Sequence, residues 1–180
     1  MKKTAVLILA ILIMSLFTAC SFLPLAGDKN DNTTKDVTSS DGQLQLTVPS
    51  SFKETKNLND VANLQLMNVA KEQYTVTIYE SKIDLSDDFT LDDYLDIIKQ
   101  NMSSSMDSPD FSDVETKTIG GIDARQYTLS GEIDKIKLKY LVTLLETDKG
   151  FYQIISWSLP SRFDDALEVF QKTADSFKEL

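Results

Sequence analysis

The sequence predicts an α+β fold: a mostly antiparallel sheet flanked by helices. Three observations carry this. Apolar and polar residues alternate in Leu44, Leu46, Val48 and again in Tyr74, Val76, Ile78, the period of a half-buried strand. The second half of the chain holds long strand patterns joined by short turns, with Gly120-Gly121 as a two-residue hairpin signal. Two stripes at helical spacing interrupt the strands: Leu91, Tyr94, Leu95, Ile98, Met102, Met106, and Phe163, Ala166, Leu167, Phe170, Ala174, Phe177. Strands, a helix, hairpin strands and a final helix make a single layered domain.

Taken in order, Leu44 to Val48 reads as a strand stopped by Pro49, and Leu64 to Val69 as a second. Tyr74 to Tyr79 is a strand of residues suited to a pleated surface. Thr90, with Asp93 three residues on, caps the first helix, which the serine run and Pro109 end. Val114 to Ile119 and Ile122 to Leu129 flank the glycine pair. Ile136, Leu138, Tyr140, Val142 and Leu144 form one long face. Asp148-Lys149-Gly150 turns the chain into Phe151 to Leu159, apolar at both parities and therefore expected to be central and covered on both faces. Trp157 is expected to be buried against the last helix, through Phe170 or Phe177. That helix starts at Pro160-Ser161, with Ser161 and Asp164 as its capping pair.

Upstream of the domain, Lys2 and Lys3 precede an apolar run from Ala5 to Phe17 and small residues, the layout of a secretory signal. The run falls short of the roughly 20 residues of a spanning helix. Leu16-Phe17-Thr18-Ala19-Cys20 resembles a bacterial lipobox, with Phe17 where a small residue is commoner. The resemblance implies cleavage before Cys20 and a diacylglyceryl group on its sulfur; the alternative is a leader without lipid. The expected divisions are a lipoprotein signal peptide at 1–19, the lipidated Cys20 with a flexible tether at 20–40, and the folded domain at 41–180. Asp28, Asn30 and Asn32 have the opening spacing of a calcium loop, but Thr33 and Ser39 stand where the turn glycine and the closing glutamate belong.

Composition narrows the chemistry. Losing Lys2 and Lys3 with the leader takes the formal net charge from −10 to −12. A chain that acidic is a poor partner for nucleic acid, where cationic neutralisation of phosphate supplies most of the affinity. There is no histidine, and the one cysteine sits in the lipobox. His-dependent nucleophilic catalysis, Cys/His zinc sites and disulfides are thereby excluded. Hard-cation binding through oxygen, carboxylate acid/base chemistry and binding without chemistry remain. No cofactor is expected.

The order of elements, with Leu46-Thr47-Val48-Pro49 and Phe52, Phe89-Thr90-Leu91-Asp92-Asp93-Tyr94, Ile119-Gly120-Gly121-Ile122-Asp123-Ala124, Phe151-Tyr152-Gln153-Ile154 with Trp157, and Ser176-Phe177, resembles the PsbP-like family, which includes DcrB-type bacterial lipoproteins. The resemblance runs from about Gln43 to Leu180. It implies the fold, and a role as a non-catalytic partner or assembly factor.

Three groups are candidates for a site. Lys135, Lys137 and Lys139 at period two share a strand face that would grip an anion or a partner; an exposed face that discourages edge-to-edge aggregation is the alternative. Asp84, Asp87 and Asp88, beside Asp92 and Asp93, would hold a hard cation, or simply sit in a loop before a helix dipole. Phe151, Tyr152 and Trp157 read as interface anchors or as core. The leading expectation is a lipid-anchored, extracytoplasmic, non-enzymatic domain that binds or helps assemble a cell-envelope partner. A metal- or small-ligand-binding lipoprotein is the second reading and a hydrolase with paired carboxylates the third.

Overall fold

The computed structural model describes residues 33–180 apart from Asp84 and Asp87. In chain order the elements are β1 (Thr34–Thr38), β2 (Leu44–Pro49), β3 (Lys53–Glu54), β4 (Leu64–Asn68), a 3-10 turn (Val69–Lys71), β5 (Gln73–Ser81), α1 (Leu91–Ser104), β6 (Asp107–Phe111), β7 (Glu115–Ile119), β8 (Ile122–Ile133), β9 (Ile136–Glu146), β10 (Gly150–Ser158), α2 (Pro160–Asp175) and β11 (Lys178–Glu179). The large sheet runs β3-β4-β5-β10-β9-β8-β6, with β7 also paired to β8; a small sheet runs β1-β2-β11. Every pairing among the described residues is antiparallel. The expected α+β class holds.

Strand β10 is central, and each of its residues is buried. Its odd residues Phe151, Ile155 and Trp157 face a core built with Leu91, Tyr94, Leu95 and Ile98 of α1. Its even residues Tyr152 and Ile154 face the small sheet, with Leu46, Val48, Ala174 and Phe177. Helix α2 closes that second face over Leu141 through Phe163, Ala166 and Phe170. The sheet therefore has a cover on each side, as the two-parity apolar pattern of β10 requires.

Helix α1 begins as its sequence dictates. The Asp93 amide donates to Thr90 Oγ1 at 3.2 Å, and the Thr90 amide donates to Asp93 Oδ2 at 2.9 Å, a reciprocal capping box.

Several expectations need correction. Residues 34–38 are not tether: they form β1, because Val37 is 6% exposed against the core and Thr47 Oγ1 donates to Asp36 at 2.7 Å. The domain begins at Thr34 rather than near Asp41. Ser161 and Asp164 do not cap α2. Leu159 is its N-cap, without a side-chain hydrogen bond, and Pro160 fills the first turn, where its missing N–H costs nothing. Pro109 does not merely stop a helix but lies in β6, an edge strand where its ring needs no ladder donor. Met106 falls beyond α1. Trp157 is buried, yet on the α1 face rather than under α2: it stacks on Tyr74 at 5.4 Å and lies 6.1 Å from Tyr140.

Candidate functional site

At one end of the large sheet the chain leaves a cleft of about 550 Å³, lined by Lys82, Gly121, Ile122, Asp123, Glu146, Thr147, Asp148 and Glu179. Four separate pieces of chain meet here: the exit of β5, the β7–β8 hairpin, the β9–β10 turn and β11. The hairpin closes on Gly120 and Gly121, at φ 60° and 87°, which glycine adopts without strain. The β9–β10 turn is held by the Thr147 amide donating to the Gly150 carbonyl at 2.9 Å. Gly150 is required for a different reason: a Cβ there would lie 2.3 Å from the Glu80 carbonyl oxygen of the neighbouring strand.

Two of the cleft carboxylates are engaged by donors. Glu146 accepts from Lys82 Nζ at 2.6 Å and from the Leu91 amide at the start of α1 at 3.0 Å. Lys82 also lies 4.9 Å from the centre of the Phe151 ring. Glu179 accepts from Thr147 Oγ1 at 2.7 Å and from the Tyr152 hydroxyl at 2.9 Å. Burial, followed by the hydrogen bond to Glu179 and its charge, pushes the Tyr152 hydroxyl far above its ordinary range, so it serves as a neutral donor. Among the described residues, Asp123 and Asp148 make no side-chain hydrogen bond or ion pair, and they present free negative charge at the rim. The cleft as built would recognise a cationic group.

Next to it lies a buried polar knot. Tyr94 of α1 donates its hydroxyl to Glu80 of β5, and Gln153 of β10 donates to the Tyr94 oxygen at 2.8 Å. Burial and the adjacent Glu80 carboxylate raise the Tyr94 hydroxyl well above its normal range. The knot ties α1 to the sheet behind the cleft.

The residues singled out from sequence lie elsewhere. Lys137 and Lys139 share one face of β9, but Lys135 belongs to the Asp134-Lys135 turn, where both residues have positive φ. Lys139 is drawn under α2, 3.7 Å from Asp164 and 4.7 Å from the Phe163 ring centre. The three lysines thus form no single row. Asp84 and Asp87, like Cys20, lie outside the described residues. Asp88 is exposed, Asp92 pairs with Arg125 at 2.8 Å, and Asp93 caps α1. Among the described residues, no three metal-ligating side chains converge. Phe151, Tyr152 and Trp157 are core. The cleft residues Lys82, Glu146 and Glu179 escaped the sequence reading because β11 is two residues long and has no periodicity to reveal it; the legible traces were the two turn signals, Gly121 with Ile122 and Asp123 in the hairpin and Asp148 in the β9–β10 turn.

No protein-family model matches the chain, and no curated protein does. Solved structures do. The solution structure of cyanobacterial PsbP (CyanoP) from Synechocystis sp. PCC 6803 superposes with a TM-score of 0.62 at 11% identity, covering 90% of this chain and 98% of that one. LpqN, described as involved in cell envelope biogenesis of Mycobacterium tuberculosis, gives 0.57 at 12% identity, covering 82% of this chain and 90% of that one. A protein of unknown function from Pseudomonas aeruginosa gives 0.53 at 9% identity over 79% of this chain and 94% of the other. The domain has the PsbP-like fold. Among the described residues, no helix is long and apolar enough to cross a membrane.

Proposed function

We propose that this chain is a lipid-anchored, extracytoplasmic domain that binds or helps assemble a cell-envelope partner and carries out no chemistry itself. The observation that carries the reading is the lipobox pattern ending at Cys20, a short stretch upstream of the first strand of a PsbP-like domain. A protein of the same fold takes part in cell envelope biogenesis, which supports the placement. The state of the cleft supports a binding role. Its two inner carboxylates are engaged by donors, its tyrosine is held neutral, and the chain has no histidine to shuttle protons. Its strong negative charge disfavours nucleic acid as the partner.

A second reading, a small-ligand-binding lipoprotein, is favoured by the free Asp123 and Asp148 at the cleft rim. The ligand would be cationic.

The test has two parts on the intact chain in its membrane. The mass of the extracted protein is expected to correspond to a chain starting at Cys20 with a diacylglyceryl addition. Crosslinking in the membrane followed by identification is expected to recover one envelope protein reproducibly, and to lose it when Asp123 and Asp148 are both changed to Asn if the cleft makes the contact. A mature chain starting elsewhere removes the anchor. A catalytic turnover dependent on Glu146 or Glu179 removes the non-enzymatic reading.

A further inference from the structure

The edges of the two sheets are not alike. Where β6 forms the edge of the large sheet it is guarded: Pro109 lies in the strand, Ser108 has a φ of 50°, and the register slips between Asp107 and Asp110. Strands β3 and β11 are only two residues long. That leaves β1 and β7, five residues each. Among the described residues β7 pairs with β8 alone, in unbroken register from Glu115 to Ile119, and Glu115, Thr116 and Thr118 are exposed.

The turns at the two ends of β8 fix which backbone groups of β7 are free. A two-residue hairpin turn makes the residues that flank it a hydrogen-bonded pair, and such pairs recur at every second residue. The Asp134-Lys135 turn pairs Ile133 with Ile136, so the odd residues of β8 bond to β9 and its even residues are left for β7. The Gly120-Gly121 turn agrees: it pairs Ile119 with Ile122, and the same parity joins Lys117 to Ala124 and Glu115 to Gln126. The N–H and C=O groups of Thr116 and Thr118 therefore point away from the sheet, where no described strand meets them.

The side chains of this edge fit a second copy of itself. Glu115 and Lys117 are two residues apart and share one face of β7. A two-fold axis at Thr116 runs two such strands antiparallel, with Thr116 opposite its own copy and Thr118 opposite Val114. It sets Glu115 opposite Lys117 of the second copy, and Lys117 opposite Glu115 of the second copy, so opposite charges meet on both sides of the axis. The neighbouring axis, at Lys117, would set that lysine against itself. Lys117 holds Asp175 at 2.6 Å, and its ammonium has further protons to donate. Glu115 makes no side-chain hydrogen bond or ion pair among the described residues. Strand β1 lacks this match. Its charged residues Lys35 and Asp36 are adjacent, so they lie on opposite faces and never stand opposite each other in a two-fold pair.

We infer that β7 is a self-association edge: two copies of this chain pair antiparallel about Thr116 and join their large sheets into one. The contact is small. The lipid at Cys20 proposed above, on which this rests, confines both copies to one surface and raises their effective concentration, so a weak contact suffices.

The experiment uses the intact chain in its membrane. A lipidated Cys20 has no free thiol, so a single introduced cysteine reports alone. Thr116→Cys is expected to link most chains into disulfide dimers under mild oxidation, because directly opposite residues of a hydrogen-bonded pair lie about 5.5 Å apart, within reach of a disulfide. Thr118→Cys and Val114→Cys are each expected to fail alone, since each lies four residues, roughly 14 Å, from its own copy, and to link to each other when the two chains are produced together. Adding Glu115→Lys to Thr116→Cys should reduce the link severalfold, and so should adding Lys117→Glu. Producing the two charge variants together should restore it, which misfolded chains would not do. No link from Thr116→Cys, a link from it to some other membrane protein, or equal linking by Thr118→Cys alone overturns the inference. Peptide mapping keeps the anchor separate: a disulfide between two Cys20 thiols overturns the lipid, while a link between two peptides carrying position 116 still reports on β7.

Discussion

Trp157 shows what one residue's parity can and cannot carry. It is 4% exposed and sits between Tyr74 and Tyr140. The apolar residues at both parities of Phe151 to Leu159 were enough to expect burial. They could not say which layer covers the odd face, because parity separates two faces without labelling them. Trp157→Ala is expected to lower stability by about 3–5 kcal/mol, through lost transfer energy and the cavity left behind. Denaturant midpoints measure it, alongside a blue-shifted tryptophan emission shielded from acrylamide in the parent protein. Neither the indole N–H nor the Tyr140 hydroxyl beside it has a hydrogen-bond partner among the described residues. Trp157→Phe removes an unsatisfied donor while keeping an aromatic ring, so it should cost clearly less than Trp157→Ala. Equal losses from the two variants would mean that a phenyl ring does not fill the space between Tyr74 and Tyr140.

At the scale of elements, strands and helices with a strong period were legible: β2, β5, the β7–β8 hairpin, β9, β10 and both helices lie where the pattern puts them, except that Met106 and Phe177, the last residues of the two expected stripes, fall beyond the helix ends. The elements that escaped are short or polar. β1 reads Thr-Lys-Asp-Val-Thr, with a single buried apolar residue, and nothing local distinguishes it from the polar run before it. Its strand state comes from pairing with β2 and from Val37 reaching the core, which are tertiary facts. This yields a direct test of the domain boundary. A chain beginning at Asp41 should be less stable than one beginning at Thr33 by at least about 1.5–3 kcal/mol, the value of burying one valine-sized side chain. Matching melting curves for the two chains would return residues 33–40 to the tether.

At the scale of the molecule, the architecture follows from a sheet with two covered faces. One cover, α1, follows β5 in the chain, and its capping box was plain in Thr90 and Asp93. The other combines the first strands with the last helix and β11, so it joins residues from opposite ends of the sequence. The cleft inherits that non-locality. Glu146 and Glu179 are far apart in the chain and meet only because β11 pairs with β2 beside the β9–β10 turn. Residue types could limit the chemistry of the site to carboxylates and lysines, and the missing histidine did so, but its location needed the closed fold.

The two-layer core also sets how the whole protein responds to base. Tyr94, Tyr127 and Tyr140 are each at most 4% exposed. Burial is the main cause that raises all three hydroxyls above the ordinary value of 10.0, with the Glu80 charge adding to it at Tyr94. In the unfolded chain they titrate near 10. Below that pH both states hold the proton, and the contribution of these groups to stability is fully present. Above it the unfolded chain loses protons that the folded protein keeps, so stability falls as pH rises. Each such tyrosine removes roughly 1.4 kcal/mol per pH unit in that window. Three together remove about 4 kcal/mol per unit, against a typical total of roughly 5–15 kcal/mol. The protein is therefore expected to hold its fold through neutral and mildly alkaline pH, and to unfold cooperatively within one or two units above about 10. The chain has six tyrosines, and the share of tyrosinate absorbance that belongs to these three buried ones should appear only in the step in which the circular dichroism changes, because their ionisation waits for unfolding. Absorbance that reaches its full six-tyrosine amplitude while the dichroism signal stays native would mean that these hydroxyls are open to solvent and that the two layers do not seal the sheet. Tyr140→Phe provides the internal control: it should shift the alkaline midpoint upward without disturbing the ring contact with Trp157.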